Sequence, residues 1–178
     1  PVIMGGPHVS GVPESVLASS YVDYVVRGEG ERPLVELLKY LSGNGTLEDV
    51  SNLGYKSGNT LQFNKMQDNY HIDELPVPDL SDFTPDRYQL AGKSLTSILT
   101  SRGCPHRCSF CSVHTTFGNK YRRRPNDSIM MEIEKRYQEG YKVIDFEDDN
   151  LAHNRTEFRD LCLRLIDRFP GGELSFTA

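Results

Sequence analysis

The sequence predicts an α/β fold made of two βα-built regions joined by a linker. Three observations carry this. Residues 1–45 alternate short apolar strand-like runs with helix-like runs, and residues 94–178 do the same. Between them, 46–93 is interrupted at Pro76, Pro78 and Pro85, where neither a helix nor a central strand can continue.

Length and composition set the outer bounds. The 178 residues are 37% hydrophobic, with nine Tyr and eight Phe, which is enough for a packed core. A net charge of −5 provides no basic field for nucleic acid, and the short run Lys120-Tyr121-Arg122-Arg123-Arg124 reads as a solvated or cofactor-facing loop. No apolar stretch approaches the roughly 20 residues that span a bilayer, and no signal peptide opens the chain. Four cysteines, three of them within eight positions, make a poor disulfide framework, so the expected compartment is a reducing cytoplasm.

Taken in order, Pro1 to Met4 form a strand that delivers the turn Gly5-Gly6, and a helical segment runs from Pro13 to Ser19. Tyr24-Val25-Val26 is a second strand leading into Gly28-Glu29-Gly30-Glu31. Pro33 to Leu41 then has helical periodicity, with Gly43 past its end. Strand–helix–strand–helix with short connections argues for a parallel, doubly wound sheet, in which ligands lie beyond the carboxyl ends of the strands, near Gly5 and Gly6. Within the linker, Leu53 to Phe63 reads as a hairpin about Ser57-Gly58-Asn59. Ser94 to Thr100 opens the second region as a strand. A helix capped by Asn126-Asp127 runs to Gln138 and stops at Gly140, and Tyr141 to Phe146 is the next strand. Asn154 and Glu157 are spaced as a capping box for a helix whose apolar positions are Phe158, Leu161, Leu165, Ile166 and Phe169. Glu173 to Thr177 begins a third strand. Both ends are strand-like, so the sequence is expected to be a piece of a longer protein, poorly stable and not catalytically competent by itself.

The chemistry is concentrated after the first strand of the second region. Cys104, Cys108 and Cys111 stand at C-x3-C-x2-C spacing in one loop, with Phe110 before the last. A closed structural zinc takes four Cys/His ligands and a closed cluster takes four cysteines. A four-iron cluster held by three cysteines therefore leaves one iron open to a non-protein ligand. Two alternatives stay open: a zinc-binding interaction module with His106 or His114 as fourth ligand, and a non-catalytic iron–sulfur protein drawing on Cys162. The latter reads as an apolar residue of a helix core. Glu147-Asp148-Asp149 follows the second strand; adjacent carboxylates repel, so such a group sits in water or faces a cation.

These residues resemble the radical S-adenosylmethionine enzymes, whose signature is Cys-x3-Cys-x-aromatic-Cys. The lead-in Thr100-Ser101-Arg102-Gly103-Cys104-Pro105 is similar to the subgroup with a cobalamin-binding domain ahead of the radical domain, as are Gly5-Gly6-Pro7-His8 and Gly28-Glu29-Gly30-Glu31. The resemblance implies that 1–45 is the C-terminal part of a doubly wound cobalamin-binding-type domain, 46–93 a linker with a β-hairpin, and 94–178 the N-terminal half of a partial βα, TIM-like barrel. It implies a 4Fe–4S cluster on Cys104, Cys108 and Cys111, and reductive cleavage of S-adenosylmethionine to a 5′-deoxyadenosyl radical. The backbone around Phe110 would meet the adenine, and Glu147, Asp148 or Asp149 the methionine amino group. Gly5 and Gly6 would lie near the cobalamin tail, where a residue without Cβ lets the backbone approach. Beyond the radical, the implied reaction is cobalamin-dependent methyl transfer or a rearrangement of a small-molecule or peptide substrate. The implied electron donor is of the flavodoxin or ferredoxin kind. The subgroup's Asp-x-His-x-x-Gly motif is not among these residues, and His8 is not its equivalent. Gly-Gly-Glu, common at the second strand's end elsewhere in the superfamily, is replaced by Phe146-Glu147-Asp148-Asp149-Asn150.

Overall fold

The computed structural model describes residues 1–67 and 71–178. The chain forms two compact units, Pro1–Asn69 with Gly103–Lys120, and Tyr70–Arg102 with Tyr121–Ala178. The 46–93 linker expectation at residues 68–70 lies outside the described residues.

The first unit, among the described residues, is built on a four-stranded sheet of order β1-β2-β3-β4. Strand β1 (Ile3–Met4) runs parallel to β2 (Tyr24–Val26), with Ile3 opposite Tyr24 and Met4 opposite Val25. Two short helices connect them, α1 (Pro7–Gly11) and α2 (Pro13–Leu17), each with proline in its first turn, where the missing N–H costs nothing. Only the second was expected. Helix α3 (Glu31–Leu41) follows β2. Alternation along β2 sends neighbouring valines to opposite faces. Val25 packs with Val9, Leu17 and Val22, while Val26 packs with Leu37, Val50 and Leu53. Helices on both faces are the doubly wound arrangement, although only the β1–β2 pair is parallel.

The hairpin departs from expectation. Strands β3 (Leu53–Ser57) and β4 (Thr60–Phe63) turn at Gly58 as predicted, but β3 also pairs antiparallel with β2, so the hairpin completes the first sheet instead of standing in a spacer. Burial explains this: Leu53 opposite Val26 joins the α3-side core. At Gly54, flanked by Val25 and Phe63, a Cβ would lie 2.6 Å from both side chains. That position admits only glycine if the Phe63 ring is to cross it.

The second unit, among the described residues, holds a sheet of order β10-β9-β6-β5 and a separate two-stranded ribbon. Strand β5 (Gln89–Leu90) is an antiparallel edge on β6 (Lys93–Ile98). Strands β7 (Ser101–Arg102) and β8 (Arg122–Arg123) form the ribbon, Ser101 opposite Arg123. Helix α5 (Asn126–Gln138), strand β9 (Val143–Phe146), helix α6 (Arg155–Arg168) and strand β10 (Ser175–Thr177) follow. Strands β6, β9 and β10 are parallel neighbours in sequence order. Ile98, Ile144 and Phe146 project to one face, where Ile129 and Ile133 of α5 and Leu161 and Leu165 of α6 cover them. Each such side chain contributes about 1.5–3 kcal/mol on full burial.

Two local expectations change. The N-cap of α5 is Pro125, not the Asn126-Asp127 pair. Asn126 is the first helical residue, and its side chain is engaged elsewhere: Oδ1 accepts from Arg123 Nη2 at 2.7 Å and Nδ2 donates to Asp160 Oδ2 at 2.7 Å. The arginines of the basic run are not solvated, although Lys120 is exposed. Arg122 is buried, and Arg124 donates to the Leu99 carbonyl at 3.1 Å and to buried Glu132. Arg136, 3.5 Å from Glu132 on the next turn, donates at 2.6 Å to the carbonyl of Pro78 and so ties part of the expected spacer to the second unit. A buried charge stripped of its partner is strongly destabilising, so these arginines serve the fold. The Asn154–Glu157 pair behaves as expected, the Glu157 amide donating to Asn154 Oδ1 at 3.3 Å.

Candidate functional site

The cysteine loop leaves β7 and returns to β8, and its residues Gly103–Lys120 belong to the first unit. Gly103 opens it at φ +80, and a Cβ there would sit 2.5 Å from the carbonyl oxygen of Lys120. The outgoing and returning strands of the loop thus touch backbone to backbone at its root. Cys104 and Cys111 are half-buried, Cys108 is exposed, and none of the three is in a disulfide. The Cys111 amide donates to the Cys108 carbonyl at 3.1 Å, closing a four-residue turn that brings these two cysteines to its ends. Phe110 occupies that turn and is 91% exposed, an unusual fate for an aromatic ring. Helix α4 (Val113–Thr116) follows and packs against α1.

Among the described residues no group of three or more His, Cys, Asp or Glu is gathered about one ion-sized point; this holds for the three cysteines and for exposed His106 and His114. The donor set is what fits a cluster: three cysteine sulfurs in one short loop, none committed to a disulfide. Cys162 does not join them. It lies in α6 of the second unit, half-buried on an apolar cavity of about 410 Å³ with Phe146, Phe158, Leu161 and Phe176.

The three carboxylates after β9 have different surroundings: two are exposed, as expected of a solvated group, and Asp148 is half-buried. Glu147 is exposed and its Oε1 accepts from Ser97 Oγ at 2.7 Å. Asp149 is exposed and has a partner of its own. Asp148, half-buried, is taken up by the chain. Its Oδ2 accepts from the Thr100 amide at 3.1 Å, and its Oδ1 accepts from Thr100 Oγ1 at 2.7 Å and from Ser101 Oγ. Glu147 also lines a cavity of about 210 Å³ at the carboxyl end of β6, with Ser97, Leu99, Arg102, Arg124 and Glu132.

Gly5 and Gly6 lie past the carboxyl end of β1. Gly6 has φ +95 with nothing within 4 Å of a Cβ position, and the Gly5 position would meet only the Val26 carbonyl at 3.5 Å. The Gly6 carbonyl accepts from Ser10 Oγ at 2.9 Å, and that oxygen accepts from the Gly28 amide at 2.9 Å. Both glycine stretches named in the sequence are therefore knitted together at one end of the first sheet. A Cβ on Gly28, at φ +69, would be 3.4 Å from the Thr116 carbonyl of α4.

Comparison with known proteins bears on this arrangement. A family model described as the radical SAM superfamily matches residues 98–177. The chain is 34% identical, over 99% of its length and 39% of the relative's, to an uncharacterized methyltransferase of Pyrococcus horikoshii. It is 32% identical to the hopanoid C-3 methylase of Methylococcus capsulatus, over 80% of the chain and 28% of that protein. Its fold matches the radical S-adenosylmethionine methyltransferase TsrM of Kitasatospora setae, solved with cobalamin and a 4Fe–4S cluster (TM-score 0.73, 22% identity, 99% of this chain, 36% of that one). It likewise matches the cobalamin-dependent S-adenosylmethionine radical enzyme OxsB (TM-score 0.77, 20% identity, 93% and 24%). The chain thus spans well under half the length of each of these proteins. No helix among the described residues is long and apolar enough to cross a membrane.

Proposed function

Since this chain belongs to the radical S-adenosylmethionine superfamily, we propose that Cys104, Cys108 and Cys111 hold a 4Fe–4S cluster whose open iron takes S-adenosylmethionine. The observation that carries the reading is the loop itself: three cysteines outside any disulfide, two joined by a closed turn, with an exposed phenylalanine between them. Such a cluster, when bound and reduced, supplies the electron that splits the carbon–sulfur bond of S-adenosylmethionine.

The remaining work belongs to the chain. Gly103 lets the loop close at its root, and the Cys108–Cys111 turn sets the mutual placement of two ligands. Exposed Phe110 presents its backbone and ring to the adenine. Of the acidic group, Glu147 and Asp149 are the carboxylates to meet the methionine ammonium, a charge-assisted contact stronger than a neutral one. Residues 94–178 would be the opening strands of a partial βα barrel, consistent with three sequential parallel strands covered on one face. Residues 1–45 would be the end of a cobalamin-binding-like domain, with Gly5 and Gly6 beside the cobalamin tail. The names of the relatives favour methyl transfer. The substrate would be a small molecule or a peptide, and a flavodoxin- or ferredoxin-like donor would supply the electrons.

Incubating the protein in its full-length form, anaerobically reconstituted and dithionite-reduced, with S-adenosylmethionine tests this. Methionine and 5′-deoxyadenosine are expected to form, or methyl transfer to added cobalamin if that route dominates. Neither product from a protein holding its iron would contradict the assignment.

A further inference from the structure

We infer that Asp148 is a positioning residue for the cysteine loop and does not itself contact S-adenosylmethionine; the inference rests on reading Cys104 as a cluster ligand. The parallel ladder between β6 and β9 ends where the Glu147 amide donates to the Ile98 carbonyl at 3.1 Å. Past that bond the chain has no further ladder partner in β9, and yet Thr100 and Ser101 are 0% and 1% exposed. Asp148 takes over. One carboxylate collects the Thr100 amide and the hydroxyls of Thr100 and Ser101, three donors on two consecutive residues. On the other side, the Arg124 amide donates to the Thr100 carbonyl at 2.9 Å. Thr100-Ser101 is thereby fixed from both flanks three residues ahead of Cys104.

A carboxylate offers about four lone-pair sites, so three protein donors leave Asp148 little capacity for an ammonium group. Its neighbours are exposed and better suited to that contact. Supporting groups that orient a ligand without touching the reactive centre are worth about 10–100-fold in metal affinity. The Thr-Ser of the lead-in thereby acquires a structural reason: it supplies the two hydroxyls that Asp148 requires.

The test compares Asp148→Asn, Asp148→Ala and the double variant Thr100→Val with Ser101→Ala. Readouts are hydrogen exchange at the Thr100 amide, iron and sulfide per chain, and the EPR of the reduced cluster with and without S-adenosylmethionine. Asn keeps an acceptor for the Thr100 amide, and its amide nitrogen can donate to either hydroxyl. It is expected to retain Thr100 protection, cluster and the S-adenosylmethionine-dependent change. Asp148→Ala is expected to speed Thr100 exchange by about tenfold or more and to lower iron content by a similar factor. Should the alanine variant not fold, the near-isosteric double variant decides, with the same loss of iron expected at unchanged far-UV CD. Full loading in the double variant or in a folded Asp148→Ala would overturn the inference. So would Asp148→Asn that keeps Thr100 protected and loses the response to S-adenosylmethionine, since that marks a ligand contact. A wild-type protein that binds no cluster overturns the radical reading, while the exchange arm still reports whether Asp148 holds Thr100.

Discussion

Single replacement of Cys104, Cys108 or Cys111 by alanine is expected to reduce bound iron by more than about tenfold and to abolish cleavage of S-adenosylmethionine. In the proposed cluster each cysteine would supply the only protein ligand to one iron, and no other cysteine among the described residues belongs to the same unit as the loop. The loss is chemical, not conformational. In Cys111→Ala the amide that donates to the Cys108 carbonyl is unchanged, so the turn survives while the sulfur is gone. Circular dichroism should therefore match wild type. Cys162→Ala is the control: that thiol borders an apolar cavity in the other unit, so iron content should be unaffected. A loop-cysteine variant that retains its iron would remove that residue from the ligand set.

Gly103→Ala is expected to lower both the melting temperature and the cluster loading although every thiol is present. An L-residue at φ +80 is disfavoured by about 1–2 kcal/mol on conformation alone. Its Cβ would also fall 2.5 Å from the Lys120 oxygen, 3.1 Å from that of Phe117 and 3.2 Å from that of Gly118. All three are backbone atoms of the returning segment and cannot rotate aside as a side chain would. Gly58→Ala separates the two effects, because Gly58 has φ +58 and nothing within 4 Å of its Cβ position. It should cost only the conformational part and leave iron loading unchanged. Equal effects at both positions would show that the root of the loop is not held by that close approach.

What was legible in the sequence follows from what is local. Tyr24–Val26, the hairpin at Gly58 and the helices ending at Gln138 and Arg168 are set by period, glycine and caps, and they stand within a residue or two of expectation. The cysteine spacing was equally plain. Long-range pairings were not. Nothing within Leu53–Phe63 says that its first strand will pair with residues some 30 positions earlier, so a sheet strand passed for part of a spacer. The arginines after the loop read as solvated because their acids, Glu132 and Glu157, lie on helices further along the chain. Asp148 was grouped with Glu147 and Asp149 because adjacency is visible and a partner 48 residues away is not. Helix α4 is a single turn, too short for any periodic signal.

EPR of the reduced, anaerobically reconstituted protein, recorded with and without S-adenosylmethionine alongside iron, sulfide and zinc content, bears hardest on the open-iron assignment. About four irons per chain and a spectrum that shifts on adding S-adenosylmethionine are the outcome predicted from three cysteines holding a four-iron cluster. One zinc per chain, or a cluster whose spectrum ignores S-adenosylmethionine, would contradict it.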